Sequence, residues 1–160
     1  MDFSFFPFAI DAIKLLNKHG ILAILITNQS HISKGYFTYE DYERKIEELK
    51  VELSQSDAHW DGTYCCPHTR TDNCKCMKPL PGMVLQAVRD FDIDLSCSYV
   101  IGDMGMSDMV LAKSIGAKGI LVRTGVGEGS LAEFRHTWED TEPYMIADNV
   151  LEAVRHIVGC

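Results

Sequence analysis

The chain lacks any long hydrophobic run: its longest clearly apolar stretch, Ile21 to Ile26, is far below the ~20 residues that span a bilayer, so no transmembrane helix is expected. Basic residues are in deficit, 15 Lys and Arg against 23 Asp and Glu, and the net charge of −8 speaks against non-specific binding to nucleic acid or to an anionic membrane. A local basic pocket for a small anion stays open. The first residues, MDFSFFPFAID, are apolar but have no basic leader and no small-residue cleavage site, so no signal peptide is read and a cytoplasmic location is expected. No internal repeat, linker or charge run divides the 160 residues, which match the size of one domain over 1–160.

What is present alternates. Ala9, Ala12, Ile13 and Leu16 recur at helical spacing until Gly20, and ILAILIT at 21–27 is a branched run suited to a strand buried on both faces. Thr38 is placed to cap a second helix carrying Tyr42, Ile46, Leu49 and Leu53. Residues 56–79 show no period. Pro81 opens a third helix with Met83, Ala87, Val88 and Phe91 inward. SYVIGD at 98–103 reads as a strand, 107–115 as a helix and AKGILVR at 117–123 as another strand. A polar helix at 129–138, the short segment YMIA and a helix at 149–158 follow. Helices alternating with short apolar strands predict an α/β fold: an open parallel sheet, Rossmann-like, with helices on both faces and right-handed crossovers. Chemistry in such a sheet belongs at the carboxyl ends of the strands, here TNQS at 27–30 and GD at 102–103.

Four of the six cysteines lie within residues 65–76. Cys66, His68, Cys74 and Cys76 form the three-thiolate, one-imidazole set of a closed structural zinc site, which stabilises a loop and leaves no position for a reacting water. Cys65 is an alternative to Cys66; the latter is preferred because positions 66 and 68 face the same way in extended chain. Cys97 is expected to be a buried apolar thiol and Cys160 a tail residue. A thiol-redox role would need CxxC, whereas the chain offers CC and CxC. Asp103, at the end of a buried strand, suits a divalent cation such as Mg²⁺; Asp108 reads either as an acid in the first helical turn or as a group beside that metal. Thr27 and Asn28 leave a strand with a hydroxyl and an amide suited to phosphate, and Lys78 can add positive charge to the same oxygens.

ITNQS at 26–30, GYFT at 35–38, CPH at 66–68, CKCMKPLPGM at 74–83, SYVIGD at 98–103 and LVRTG at 121–125, in this order, resemble the haloacid dehalogenase (HAD) superfamily of phosphatases. Within it the likeness is to the branch containing histidinol-phosphate phosphatase and heptose 1,7-bisphosphate phosphatase. The resemblance implies that Thr27 and Asn28 bind the transferring phosphoryl group, that Lys78 stabilises its charge and that Asp103 ligates Mg²⁺. It also implies that Cys66, His68, Cys74 and Cys76 hold Zn²⁺, and that the substrate is a small phosphorylated metabolite. Met77 and Met104 stand where the heptose enzymes carry basic residues. The family's first motif, DxDGT, supplies the attacking aspartate from the central strand, and this chain has no DxDGT. Asp2 has no strand before it and is not read as a replacement.

The expectation is therefore a HAD core whose central first strand is missing, truncated before the nucleophile and inactive as it stands. About five buried apolar residues at ~1.5–3 kcal/mol each, roughly 10 kcal/mol, would go with such a strand, comparable to the whole stability of a domain. The second reading is a non-catalytic, zinc-stabilised module that binds phosphate or a partner. The residues are silent on oligomeric state.

Overall fold

The computed structural model describes residues 3–159; Asp2 and Cys160 lie outside them. The chain forms α1 (Ala9–Lys18), β1 (Ile24–Asn28), α2 (Tyr39–Gln55), β2 (Gly62–Cys66), α3 (Gly82–Phe91), β3 (Tyr99–Gly102), α4 (Val110–Ile115), β4 (Lys118–Val122), α5 (Gly127–Leu131), β5 (Met145–Ala147) and α6 (Val150–Val158). The alternation is the α/β pattern expected. Every strand pair is parallel, but the strands fall into two sheets, β1-β2 and β3-β4-β5. Among the described residues one edge of β1 and one edge of β3 take no strand partner, so the single sheet expected from the sequence is divided between them.

Each sheet carries helices on both faces. Leu25 and Cys65 pack with Tyr42, Ile46 and Leu49 of α2, while Tyr64, pointing the other way, donates its hydroxyl hydrogen to Asp90 of α3 at 2.6 Å. In the second sheet Ile120 and Val122 meet Ala153 and Ile157 of α6, and Leu121 between them meets Met109 and Trp138. That reversal at successive residues is the strand period of two. α1 lies against α6.

Several elements depart from the sequence reading. β2 falls inside the stretch expected to be irregular. Its five residues, GTYCC, hold a glycine, two thiols and a single branched residue, Thr63, and both faces are partly covered, so no alternation is visible. The helix expected at 107–115 begins as a π-turn over Gly105–Met109. The expected helix at 129–138 is two pieces, α5 and a 3₁₀ turn over Arg135–Trp138, because Trp138 folds back to donate its indole hydrogen to the Ser130 carbonyl at 2.9 Å. Cys97, expected to be buried, is exposed on a 3₁₀ turn.

Candidate active site and metal centre

β1 ends at Thr27 and Asn28, and β3 runs straight into Asp103. Lys78 reaches the same place from the loop before α3. The Asn28 carboxamide grips its backbone at both ends: Oδ1 accepts the Lys78 N–H at 2.9 Å and Nδ2 donates to the Lys78 carbonyl at 3.2 Å. With its main chain held, Lys78 extends Nζ to Asp108 Oδ1 at 2.7 Å. Both side chains are largely buried, 14% and 7% exposed, which removes the solvent screening that makes surface pairs weak. Asp108 Oδ2 accepts the Met104 N–H at 3.2 Å. Of the two readings open for Asp108, an acid at the helix entry or a group beside the metal, the structure adds a third feature: it is the ionic partner of Lys78. Thr27 Oγ1 accepts a hydrogen from Gln29 Nε2 at 2.9 Å and keeps its own O–H to donate.

The carboxylate of Asp103 is positioned by residues that the sequence reading did not single out. Its Oδ2 accepts the Val126 N–H at 2.9 Å, and its carbonyl accepts from the buried Ser130 hydroxyl at 2.8 Å. Ser130 Oγ in turn accepts the Gly105 N–H at 3.3 Å. Gly125 has φ +60, and a Cβ there would collide with Asp103 Oδ2. Gly102 is required for a parallel reason, since a Cβ would overlap the Asp108 carboxylate. The only signal for Gly125 was its place after a strand in LVRTG; Ser130 gave none, being one serine in a short helix. A carboxylate oxygen is a donor suited to Mg²⁺.

By spelling alone the chain does hold Asp-x-Asp, at Asp90-Phe91-Asp92-Ile93-Asp94. Those acids serve the end of α3: Asp90 accepts from Tyr64, Asp92 is the left-handed C-cap, and Asp94 caps the next 3₁₀ turn. They are no substitute for a nucleophile motif.

Below β2 the second cluster closes. The ligand atoms of Cys66, His68, Cys74 and Cys76 all lie within 4.8 Å of one another. Cys66 Sγ is 3.7 Å from Cys74 Sγ and 3.6 Å from His68 Nδ1, and His68 Nδ1 is 3.2 Å from Cys76 Sγ. Ligands on a tetrahedral zinc, at bond lengths of ~2.0–2.3 Å, stand about 3.5–3.8 Å apart. The donor set and its spacing fit that ion. Cys65, one residue away and therefore on the opposite face of β2, packs against α2 instead, where burial raises its thiol to about 11 and keeps it protonated. The choice of Cys66 over Cys65 follows from this strand geometry. In Cys74 burial raises the thiol, but hydrogen bonds from the Met77 and Cys76 backbone and from the neighbouring thiols outweigh it and the balance is downward, whereas burial pushes the Cys66 and Cys76 thiols up.

Comparison with known proteins places this arrangement. The profile of the HAD-hydrolase-like family matches residues 75–153. The D-glycero-beta-D-manno-heptose-1,7-bisphosphate 7-phosphatase of Yersinia pestis is 41% identical over 133 residues, 78% of this chain and 70% of that protein. The chain belongs to the HAD phosphatase family. The enzyme of the same name from Neisseria meningitidis serogroup A is 31% identical over 94% of this chain and 79% of its own length. Among solved HAD phosphatases, the D,D-heptose 1.7-bisphosphate phosphatase of B. bronchiseptica, complexed with magnesium and phosphate, superposes with a TM-score of 0.87 at 28% identity. That match covers 96% of this chain and 83% of the other. A HAD core thus accounts for the parallel strands, and the Cys/His group is compatible with a zinc loop in it. Among the described residues no helix is long and apolar enough to cross a membrane.

Proposed function

We propose that the chain is the body of a Mg²⁺-dependent phosphomonoesterase, a single HAD-like domain acting in the cytoplasm on a small phosphorylated metabolite of the sugar-phosphate or histidinol-phosphate type. The observation that carries the reading is the convergence of Lys78, clamped by Asn28 and paired with Asp108, on the strand end that presents Asp103. Similarity to enzymes named for a phosphorylated heptose supports the substrate class, and five free cysteines among the described residues agree with a reducing compartment.

In this reading Thr27 donates its hydroxyl hydrogen to a phosphoryl oxygen, and Asn28 binds the group beside it while keeping the Lys78 backbone in place. Lys78 balances the charge that grows on the phosphoryl oxygens, and Asp108 holds its ammonium still when no substrate is present. Asp103 would hold Mg²⁺, which supplies charge neutralisation of phosphoryl oxygens when bound. An aspartate oxygen attacks phosphorus, the ester P–O bond breaks, and the leaving alkoxide takes a proton. Water then attacks the aspartyl phosphate and releases phosphate. The attacking aspartate is absent from the sequence in hand. The free edges of β1 and β3, flanking the site, are where a strand ending in DxDGT would pair. One Zn²⁺ on Cys66, His68, Cys74 and Cys76 would brace the loop that delivers Lys78.

The test is a fusion that supplies such a strand ahead of Phe3. The unfused chain is expected to show no Mg²⁺-dependent hydrolysis of phosphomonoesters above background, and the fusion to turn over. In the fusion Lys78→Ala should lower kcat by roughly 100-fold, the scale of removing one charge-stabilising donor, and Asp103→Asn should raise the Mg²⁺ requirement. Activity in the unfused chain that survives Asp103→Asn would reject this site. The second reading, a binding module without chemistry, is favoured by the engagement of Asp103 and Asp108 in internal hydrogen bonds. A folded fusion that binds inorganic phosphate but turns nothing over would establish it.

A further inference from the structure

We infer that Gln29 is a positioning residue: its side-chain amide sets the Thr27 hydroxyl so that the hydroxyl hydrogen is offered to the phosphoryl group. The inference rests on the phosphomonoesterase reading and deepens it by one residue of the same site. Thr27 and Gln29 stand two positions apart where β1 runs out, so their side chains share a side, while Asn28 between them turns the other way to clamp Lys78. Gln29 Nε2 meets Thr27 Oγ1 at 2.9 Å in a part-buried contact. The main chain behind that amide is fixed at both of its polar groups. The Gln29 N–H donates to the Cys66 carbonyl at 2.7 Å, and the Gln29 carbonyl accepts the Ile32 N–H at 3.1 Å. A further tie, from the Ser33 N–H to the Pro67 carbonyl at 3.2 Å, fastens the same loop to the segment that carries Cys66 and His68. The Cys66 bond runs toward β2, so it does not use the edge of β1 that lacks a strand partner among the described residues.

An amide nitrogen donates and cannot accept, whereas a hydroxyl does both. With Gln29 donating to Oγ1, the Thr27 hydrogen cannot return to that nitrogen and is left for another oxygen. A phosphoryl oxygen at the carboxyl end of the strand is such an acceptor, and its negative charge strengthens the bond. Setting the rotor before the ligand arrives also removes part of the ordering cost of binding. A carboxylate at position 29 would invert the pattern: it would accept the Thr27 hydrogen itself and place a second negative charge near the anion.

The experiment is a double-mutant cycle read by calorimetric titration of the chain in Mg²⁺ with inorganic phosphate. Thr27→Val, which keeps the shape and removes the hydroxyl, should weaken phosphate binding about 10-fold or more, the scale of one charge-assisted hydrogen bond. Gln29→Met should weaken it by roughly 5-fold, and Gln29→Glu by more than Gln29→Met, while both variants keep the main-chain bonds to Cys66 and Ile32. The deciding measurement is Gln29→Met made in the Thr27→Val background, where it should change affinity by less than about 2-fold, because a residue that acts through the hydroxyl has nothing left to position. A loss from Gln29→Met that is just as large without the Thr27 hydroxyl, or Gln29→Glu binding phosphate as tightly as the unaltered chain, overturns the inference while the phosphate site stands. No phosphate binding by the unaltered chain, or no loss from Thr27→Val, overturns the phosphoryl-binding reading and the inference with it.

Discussion

Phe8 sits at the entrance to α1 with φ +68 and ψ 0, a left-handed conformation that an L side chain adopts at a cost, and it offers no side-chain cap. Its ring is more than half exposed, so packing returns little. Phe8→Gly should raise stability by roughly 0.5–1 kcal/mol, the relief of left-handed strain less the extra freedom glycine has in the unfolded chain. Urea unfolding followed by circular dichroism reads the midpoint, and a lower midpoint for the variant would show that the ring contributes more than its strain costs. At Lys78 the physics runs the other way, because two part-buried amide contacts fix its main chain and one part-buried ion pair holds its ammonium group.

Element ends carry the next set of consequences. The loop after β2 is braced where Cys66 and His68 meet Cys74 and Cys76. The purified protein should therefore contain one Zn²⁺ per chain by elemental analysis. Cys74→Ser should lower that content and increase proteolysis between 66 and 78, while Cys65→Ser should leave the content unchanged, since Cys65 faces α2. Metal-replete protein without zinc would sink this expectation.

Two capping boxes respond to acid. Asp41 accepts the Thr38 N–H, and Asp72 accepts the Thr69 N–H; those backbone bonds, with the threonine hydroxyls, hold both carboxyls below the usual carboxylate range. A carboxyl depressed in the folded state contributes stability above its unfolded value, near about pH 4, and loses it as pH falls through the lower folded value. The double variant Asp41→Asn/Asp72→Asn should accordingly show a flatter decline of Tm below about pH 4. An unchanged decline would place the acid sensitivity elsewhere.

Across the whole molecule, the division between β1-β2 and β3-β4-β5 governs stability. β4 is paired on both sides, with four of its five residues buried. Among the described residues β1 and β3 each have only one strand neighbour, and the halves are joined by α1 against α6 and by the Asn28–Lys78–Asp108 chain. Amide hydrogen exchange should therefore find β4 the slowest strand, with β1 and β3 opening earlier. Unpaired strand edges also template unwanted association, so a fusion that fills the gap should slow exchange in β1 and β3 together. Protection of those strands equal to that of β4 in the unfused chain would mean that their edges are already covered.

Much of this could be read from adjacent residues. The branched runs at 21–27 and 117–123, the capping Thr38 and the tight CxH and CxC spacing depend on neighbours a few positions apart, where side-chain type dictates backbone and ligand geometry directly. Strand β2 escaped because five mixed residues carry no period. The pair Lys78–Asp108 spans 30 positions and the Asn28 clamp spans 50. No local pattern announces such contacts, because they exist only once two sheets and their loops have packed. The same holds for Ser130 under Asp103. Residue chemistry alone determined the parallel α/β class, the Cys/His cluster of residues 66, 68, 74 and 76 and the strand ends at Asn28 and Gly102. Packing decided which carboxylate neutralises Lys78, which groups hold Asp103 and what surrounds it, since in a close-packed interior a side chain's partners are set by the whole arrangement of elements.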